Sequence, residues 1–402
     1  MALRKYCQEE ALFFSQIDGC TLMKKNRLVN IILLSLLVLA LLLTTASALK
    51  TPYIKVSQAS TNAVAPSSNT PIPVLAYYYI WYDSNSWDRA KSDLPLLGSY
   101  TSDDITVMRQ HIQDAKAAGI TGFIVSWKGT DVLNRRLKLL VQVAEQENFK
   151  LAVIYQGLDF NRNPLPVDQV ANDLDYFIQN FASMPAFQLF SKPMVIWSGT
   201  WKFSTQDIEQ VTKTRRSSLL ILASERDLAG FSRLVSFVDG EAYYWSSVNP
   251  ATYSGYQNKL DQLSQAVHQN NGLWIAPAAP GFDARMIGGT SVVDRKDGNT
   301  FRIEINTAMA STPDALGIIS WNEFSENSHI EPSQKYGSQY LDMLSQILKT
   351  PATNVTEFDS SIPDKTYTDI FPQSRVIALG GLGILVIISM VMIFQHQIHL
   401  GR

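Results

Sequence analysis

The run Ala315-Leu316-Gly317-Ile318-Ile319-Ser320 passes directly into Trp321-Asn322-Glu323-Phe324-Ser325-Glu326-Asn327-Ser328-His329-Ile330-Glu331-Pro332. The first six positions read as a buried strand. The next twelve set two carboxylates, Glu323 and Glu326, three residues apart among aromatic and amide side chains. In a regular strand, residues three apart point to opposite faces. For both acids to serve one site, the strand has to end near Glu323 and the chain has to turn. A strand that gives way to an acid-bearing loop is where barrel enzymes keep their chemistry.

Upstream of this stretch the chain alternates strand and helix. Strands are expected at Val74–Trp81, Gly122–Trp127, Leu151–Tyr155, Pro193–Trp197, Leu219–Ser224, Gly240–Trp245, Leu273–Pro277 and Ala315–Trp321. Helical spacing marks Ser102–Ala118, with Ser102 as N-cap and Gly119 just past the end. It marks Asp131–Glu147, Val167–Phe181, Thr205–Thr214, a short patch around Asp227–Val235, Tyr253–Gln269, Arg302–Ser311 and Tyr336–Leu348 as well. Eight strand–helix pairs in roughly 280 residues is the count and size of a (β/α)8 TIM barrel. Unbroken apolar strands fit a parallel sheet buried on both sides. The rival, an open doubly wound sheet, calls for a Gly-rich phosphate turn after the first strand, and none is present.

Two apolar segments frame this domain, expected over 71–350. Residues 28–48 have the length of a transmembrane helix, and Lys24, Lys25 and Arg27 before them predict a cytoplasmic segment 1–27. The same stretch also reads as a signal peptide cleaved after Ala46-Ser47-Ala48 rather than a signal-anchor. Residues 376–394 form a second uncharged run, expected to be transmembrane, before the tail 395–402. Residues 49–70 and 351–375 read as linkers. The lipid bilayer is thus an expected partner, with the protein at the cell membrane and the barrel domain extracytoplasmic.

Composition excludes several classes. Net charge is −2 and charged residues make up 17%, so nucleic acid is not an expected partner. The only cysteines, Cys7 and Cys20, precede the first apolar segment, which removes thiol catalysis and Cys-based zinc sites from the domain. No HExxH or DxD-type metal cluster, Gly-x-Ser-x-Gly elbow or ordered Ser-His-Asp set occurs, and no cofactor is expected. Composition leaves the oligomeric state undetermined.

Residues just after the strands share one mouth in a barrel. Here the candidates are Tyr79, Trp81, Tyr82, Trp127, Lys128, Tyr155, Tyr244, Trp245, Asp283, Trp321 and Asn322 for substrate binding, and Glu323 and Glu326 for catalysis. Aromatic faces suit sugar C–H faces, and amides and carboxylates suit hydroxyls. Each has a plainer reading: an isolated Trp after a strand packs a rim, Lys128 is a solvated loop charge, and His329 and Glu331 anchor the last loop. The plainer reading is weakest for Glu323 and Glu326, because placing two acids together raises one pKa, as an acid/base pair requires. Carboxylate chemistry on a neutral, aromatic-lined substrate fits glycoside hydrolysis of a glycan or polysaccharide.

The 321–332 stretch resembles the final-strand motif of glycoside hydrolase family 99, the endo-α-mannosidase-like family, typically Trp/Phe-Asn-Glu-Trp-His-Glu-Gly-(Ser/Thr)-x-Ile-Glu-Pro. Tyr77-Tyr78-Tyr79-Ile80-Trp81-Tyr82, Gly122-Phe123-Ile124-Val125-Ser126-Trp127, Pro280-Gly281-Phe282-Asp283 and a later basic loop with Arg295 add to the resemblance. The resemblance implies a (β/α)8 barrel and metal-free cleavage of α-mannosidic or related linkages with retention, through a 1,2-anhydro sugar. It implies Glu323 as the base on the sugar 2-hydroxyl and Glu326 as general acid/base. Four departures stand out: Ser325 replaces the family His, Asn327 replaces a Gly, Lys128 replaces an aromatic, and Ile154-Tyr155-Gln156-Gly157 replaces a carboxylate-bearing segment. These keep two alternatives open, a non-catalytic carbohydrate-binding or cell-envelope glycan assembly protein on the same barrel and a related α-glucanase.

Overall fold

The computed structural model describes residues 72–349. The expected membrane segments at 28–48 and 376–394, the segment 1–27, both linkers and the tail lie outside the described residues. Among the described residues, no helix is long and apolar enough to cross a membrane.

Eight parallel strands close a barrel: β1 (Val74–Tyr79), β2 (Gly122–Trp127), β3 (Lys150–Gln156), β4 (Met194–Ser198), β5 (Leu220–Ser224), β6 (Gly240–Ala242), β7 (Leu273–Ala278) and β8 (Ala315–Ile318). Each pairs with the next in sequence, and β8 closes on β1 in the register Val74↔Leu316, Leu75↔Gly317, Ala76↔Ile318. The strands alternate with α1 (Ile105–Ala117), α2 (Asp131–Gln146), α3 (Val167–Asn180), α4 (Thr205–Arg215), α5 (Leu228–Ser232), α6 (Tyr256–Gln269), α7 (Asn299–Ala310) and α8 (Gln339–Lys349). The barrel expected from the repeat is therefore present, with every expected strand and helix in its place.

Three local expectations are corrected. Strand β6 is three residues long, and β8 stops at Ile318 instead of Trp321. Helix α1 is capped by Asp104, whose carboxylate accepts from the Thr106 and Val107 N–H groups. Ser102 is otherwise engaged, its Oγ accepting the Tyr82 N–H at 3.0 Å. The loop after β7 also folds into a small antiparallel hairpin, Phe282–Asp283 against Val292–Val293, which the sequence reading did not include.

Strand alternation divides the core in two. Leu75, Tyr77, Ile124, Ala152, Ile154, Ile196, Leu222 and Ile275 fill the barrel interior. Their neighbours Tyr78, Phe123, Val125, Trp127, Val153, Tyr155, Trp197 and Trp274 face the helices. Apolar residues on both faces are what make these strands read as unbroken hydrophobic runs.

The same alternation overturns part of the expected binding set. Trp127, Tyr155 and Trp321 are fully buried in the layer between sheet and helices. Trp127 donates from Nε1 to Asn134 Oδ1 at 2.9 Å and packs on Phe177. The Tyr155 hydroxyl donates to Asp173 Oδ2 at 2.9 Å. Trp321 packs against Phe123 and His111. None of the three is a sugar platform. Trp127→Ala should accordingly cost about 3–5 kcal/mol of stability, seen as a lower denaturation midpoint in urea, with KM unchanged in the folded fraction.

The chain enters the barrel at Val74 and leaves it at Lys349 at one end, because helices run antiparallel to strands. Leu348 packs there against Gly119, the left-handed residue (φ +90°) that stops α1. The acid-bearing loop after β8 lies at the other end.

Candidate active site

The β8 loop is shaped by its own backbone. After the cis Ile319–Ser320 peptide bond, the Ser320 N–H donates to the Ser328 carbonyl at 2.7 Å. Ser320 Oγ accepts the Glu323 N–H at 2.8 Å, and the Ile330 N–H reaches both the Ser320 and Trp321 carbonyls. The loop thus doubles back immediately past the strand, supplying the turn that a three-residue acid spacing needs. Asn327 has φ +49°, a left-handed conformation that Asn adopts more readily than most residues. That explains how Asn can stand where the family motif has Gly.

Beneath the acids, a buried polar lattice ties this loop to β1 and α1. Asn322 accepts the Tyr79 N–H at 2.8 Å and donates to the Tyr79 carbonyl at 3.0 Å and to the Tyr100 hydroxyl at 3.2 Å. The Tyr82 hydroxyl donates to the Asn322 carbonyl. Tyr100 donates to Glu331 Oε2 at 2.9 Å, and His111 bridges Glu331 Oε1 and the Tyr78 hydroxyl. Asn322 and Tyr82, expected to bind substrate, are instead braces with no exposed surface to offer. Asn322→Ala leaves both Tyr79 backbone groups unpaired. At about 1–3 kcal/mol for each buried unsatisfied group, a loss of several kcal/mol should appear in chemical denaturation.

Glu323 stands over this lattice, only 6% exposed. Burial, and after it the negative charge of Glu326, pushes its carboxyl up to about 8, against the opposing pull of the Ser325 N–H and of Lys91. Glu326 is half-buried, and burial raises its carboxyl too, opposed by Arg162. Above them, the Tyr79 and Tyr244 hydroxyls are hydrogen-bonded to each other. Burial and the charges of both acids hold these two phenols well above their ordinary range. Trp81 is 42% exposed, its ring 4.3 Å from that of Tyr79. The mouth thus joins Tyr79, Trp81, Tyr244, Glu323 and Glu326.

The other expected contacts lie to the side. Lys128 Nζ donates to the Leu158 carbonyl at 3.0 Å. Asp283 donates its N–H to the Glu326 carbonyl at 2.7 Å, while Arg285 occupies its carboxylate and holds it down at about 2. Trp245 packs at the edge of the helix-facing layer, parallel to Tyr243. Lys91 and Tyr100 were missed from sequence, because both sit in a long loop without periodicity. A surface hollow lined by Asp261, Ser264, His268 and Thr312 lies between α6 and α7, on the outer layer, with no acid pair of this kind.

Comparison with known proteins places the barrel in a family and beside solved folds. Residues 76–349 match the family model described as Glycosyl hydrolase family 99. A glycoprotein endo-alpha-1,2-mannosidase of Rattus norvegicus is 23% identical over 283 residues, covering 63% of this chain and 60% of the relative. A glycoprotein endo-alpha-1,2-mannosidase-like protein of Danio rerio is 24% identical over 289 residues, covering 63% of each. The chain thus spans about 60% of the length of the curated relatives it matches. The solved GH99 endo-alpha-mannosidase from Bacteroides thetaiotaomicron superimposes with a TM-score of 0.60 at 18% identity, over 69% of this chain and 98% of that one, which shows a shared fold.

Proposed function

The chain belongs to glycosyl hydrolase family 99, and from that premise we propose that it is a retaining glycoside hydrolase acting within α-linked, mannose-containing glycans. The observation that carries this reading is the pair of a buried Glu323 and a half-buried Glu326 acting on the Tyr79 and Tyr244 phenols at the barrel mouth. In the proposed first step, the Glu323 carboxylate takes the proton of the sugar 2-hydroxyl. O2 bonds to C1 as the glycosidic C1–O bond breaks, and Glu326 protonates the departing oxygen. Water then attacks C1 and gives its proton to Glu326, while the C1–O2 bond opens and O2 recovers its proton from Glu323. Two inversions at C1 give net retention.

The pair must hold one proton for this chemistry. Of the two acids Glu323 is the harder to ionise, because burial and the Glu326 charge both oppose it. A 2-hydroxyl donating to Glu323 stabilises its carboxylate and moves the shared proton to Glu326, where the leaving oxygen needs it. The one-proton state persists from the raised Glu326 value up to about 8. A bell-shaped kcat/KM profile follows, with its alkaline limb near pH 8 and its acid limb above the ordinary Glu range. A profile flat from pH 5 to pH 9 would sink the shared-proton account.

The reaction itself is tested by incubating the protein with α-mannan and α-glucan and following the first-formed anomer by NMR. A retained anomer from mannan is expected. Glycan binding without turnover would favour the second reading, a carbohydrate-binding or envelope-assembly protein. One observation favours that alternative: β3 ends in Gln156, which donates to Ser126 Oγ at 3.1 Å where the family pattern carries a carboxylate-bearing segment. We also propose that the barrel is held outside the cell membrane by the apolar segments 28–48 and 376–394. The basic flank of the first segment supports this, and protection of the barrel from external protease in intact cells would overturn it.

A further inference from the structure

The β7–α7 loop grips the acid-bearing loop at three carbonyls, those of Glu326, Asn327 and His329. The Asp283 N–H holds that of Glu326 at 2.7 Å. Arg295 Nη2 donates to those of Asn327 and His329, at 3.0 and 2.8 Å. Arg295 is only 4% exposed and, among the described residues, forms no ion pair. Its guanidinium lies 4.4 Å from the ring centres of both Tyr336 and Tyr340. Its Nε and Nη1 are buried without a hydrogen-bond partner. The stem is fixed from below, since a Cβ at Gly281 would come within 2.5 Å of Arg295 Cγ. His329 completes the clamp, its Nε2 3.3 Å from Asp93 Oδ2 and its Nδ1 3.5 Å from Arg295 Nη2.

A buried cation with no carboxylate partner and two idle donors is a poor device for stability alone. Two faces of π density compensate it in part. What it does is fix the peptide units that carry the Asn327 and His329 carbonyls, one and three residues past Glu326. We infer that Arg295 is a positioning residue, which aims the Glu326 carboxyl by holding the Asn327 and His329 carbonyls. This rests on the reading of Glu326 as the acid that protonates the leaving oxygen. Lysine cannot replace it, because a single ammonium cannot both bridge the two carbonyls and present a flat face to two rings.

The test compares Arg295→Met and Arg295→Lys with the unmodified full chain. Steady-state kinetics use an α-mannoside and the matching α-mannosyl fluoride, whose leaving group needs no proton. They are joined by thermal melting and by hydrogen exchange over residues 323–330. Displacing a catalytic group by about 1 Å costs on the order of 10²-fold, so kcat on the mannoside should fall by about that factor while KM stays within about threefold. With azide present to relieve the second step of its need for a base, turnover of the fluoride should fall far less, and amides of 323–330 should exchange faster while Arg295→Met keeps one cooperative melting transition. Equal losses on both substrates, or exchange unchanged at 323–330, would overturn the inference. Should Arg295→Met fail to fold, Arg295→Lys keeps the charge and is read by the same outcomes. If Glu326→Gln shows no dependence on leaving group, the acid assignment falls separately, and faster or unchanged exchange still decides whether Arg295 holds the loop.

Discussion

Glu323→Gln should abolish hydrolysis and, at alkaline pH, make the protein harder to unfold. Removing a positioned general base typically costs about 10²–10⁴-fold, and a residual rate near the bottom of that range is expected because no neighbouring group can take over the 2-hydroxyl. The stability gain follows from linkage. The Glu323 carboxyl titrates near 8 when folded, against an ordinary value of 4.5, so between these values the native state binds more protons than the unfolded state. Stability contributed by the neutral carboxyl is fully present below about pH 4.5 and is lost as pH rises through 8. Above pH 8 the buried charge costs on the order of 5 kcal/mol, and a neutral isostere removes that cost. For a domain of this size, roughly 2–4 °C accompanies each kcal/mol. Melting temperatures should therefore coincide at pH 4.5 and separate by roughly 10–20 °C at pH 9, the variant higher. An equal difference at both pH values would mean that Glu323 is not buried as described, and full activity would mean that it is not the base.

Glu326→Gln should fail differently, and the difference identifies its role. Breaking an ordinary glycosidic bond expels an alkoxide that needs a proton, so loss of the acid should cost about 10³-fold on a natural glycan. An α-glycosyl fluoride leaves without protonation, and its first step should be nearly unimpaired in the variant. The second step still lacks the base that activates water. Azide, which needs no deprotonation, should restore turnover and appear in the product as a retained glycosyl azide. Glu323→Gln should gain from neither the fluoride nor azide, since O2 remains protonated. Identical behaviour of the two variants would show that the acid and base roles are misassigned.

Most of the barrel was legible because its strands are apolar on both faces and its helices carry a clear stripe. That property also hid the site's geometry. Where both faces are apolar, nothing in Gly122–Trp127 or Lys150–Gln156 marks which residues point inward, so Trp127 and Tyr155 read as mouth residues although they face helices. Tyr79 and Tyr244 had the same appearance in sequence and the opposite outcome. Asn322 misled for another reason. An amide beside a carboxylate suits a sugar hydroxyl and a strand edge equally well, and only the approach of Tyr79 from β1 decides between them. The two-residue strands of the Phe282–Asp283 hairpin are too short to carry a pattern. Asn327, a departure from the family motif as a letter, is conservative as a backbone conformation.

Val74 and Lys349 mark the places where the described barrel is joined to the rest of the chain, and both lie on the face farthest from Glu323 and Glu326. Any load carried by the chain on either side, whether a bead, a fluorescent partner or a surface, bears on the N-terminal edges of the strands. The barrel's own geometry therefore keeps both points of attachment on one face and leaves the mouth, on the opposite face, clear of them.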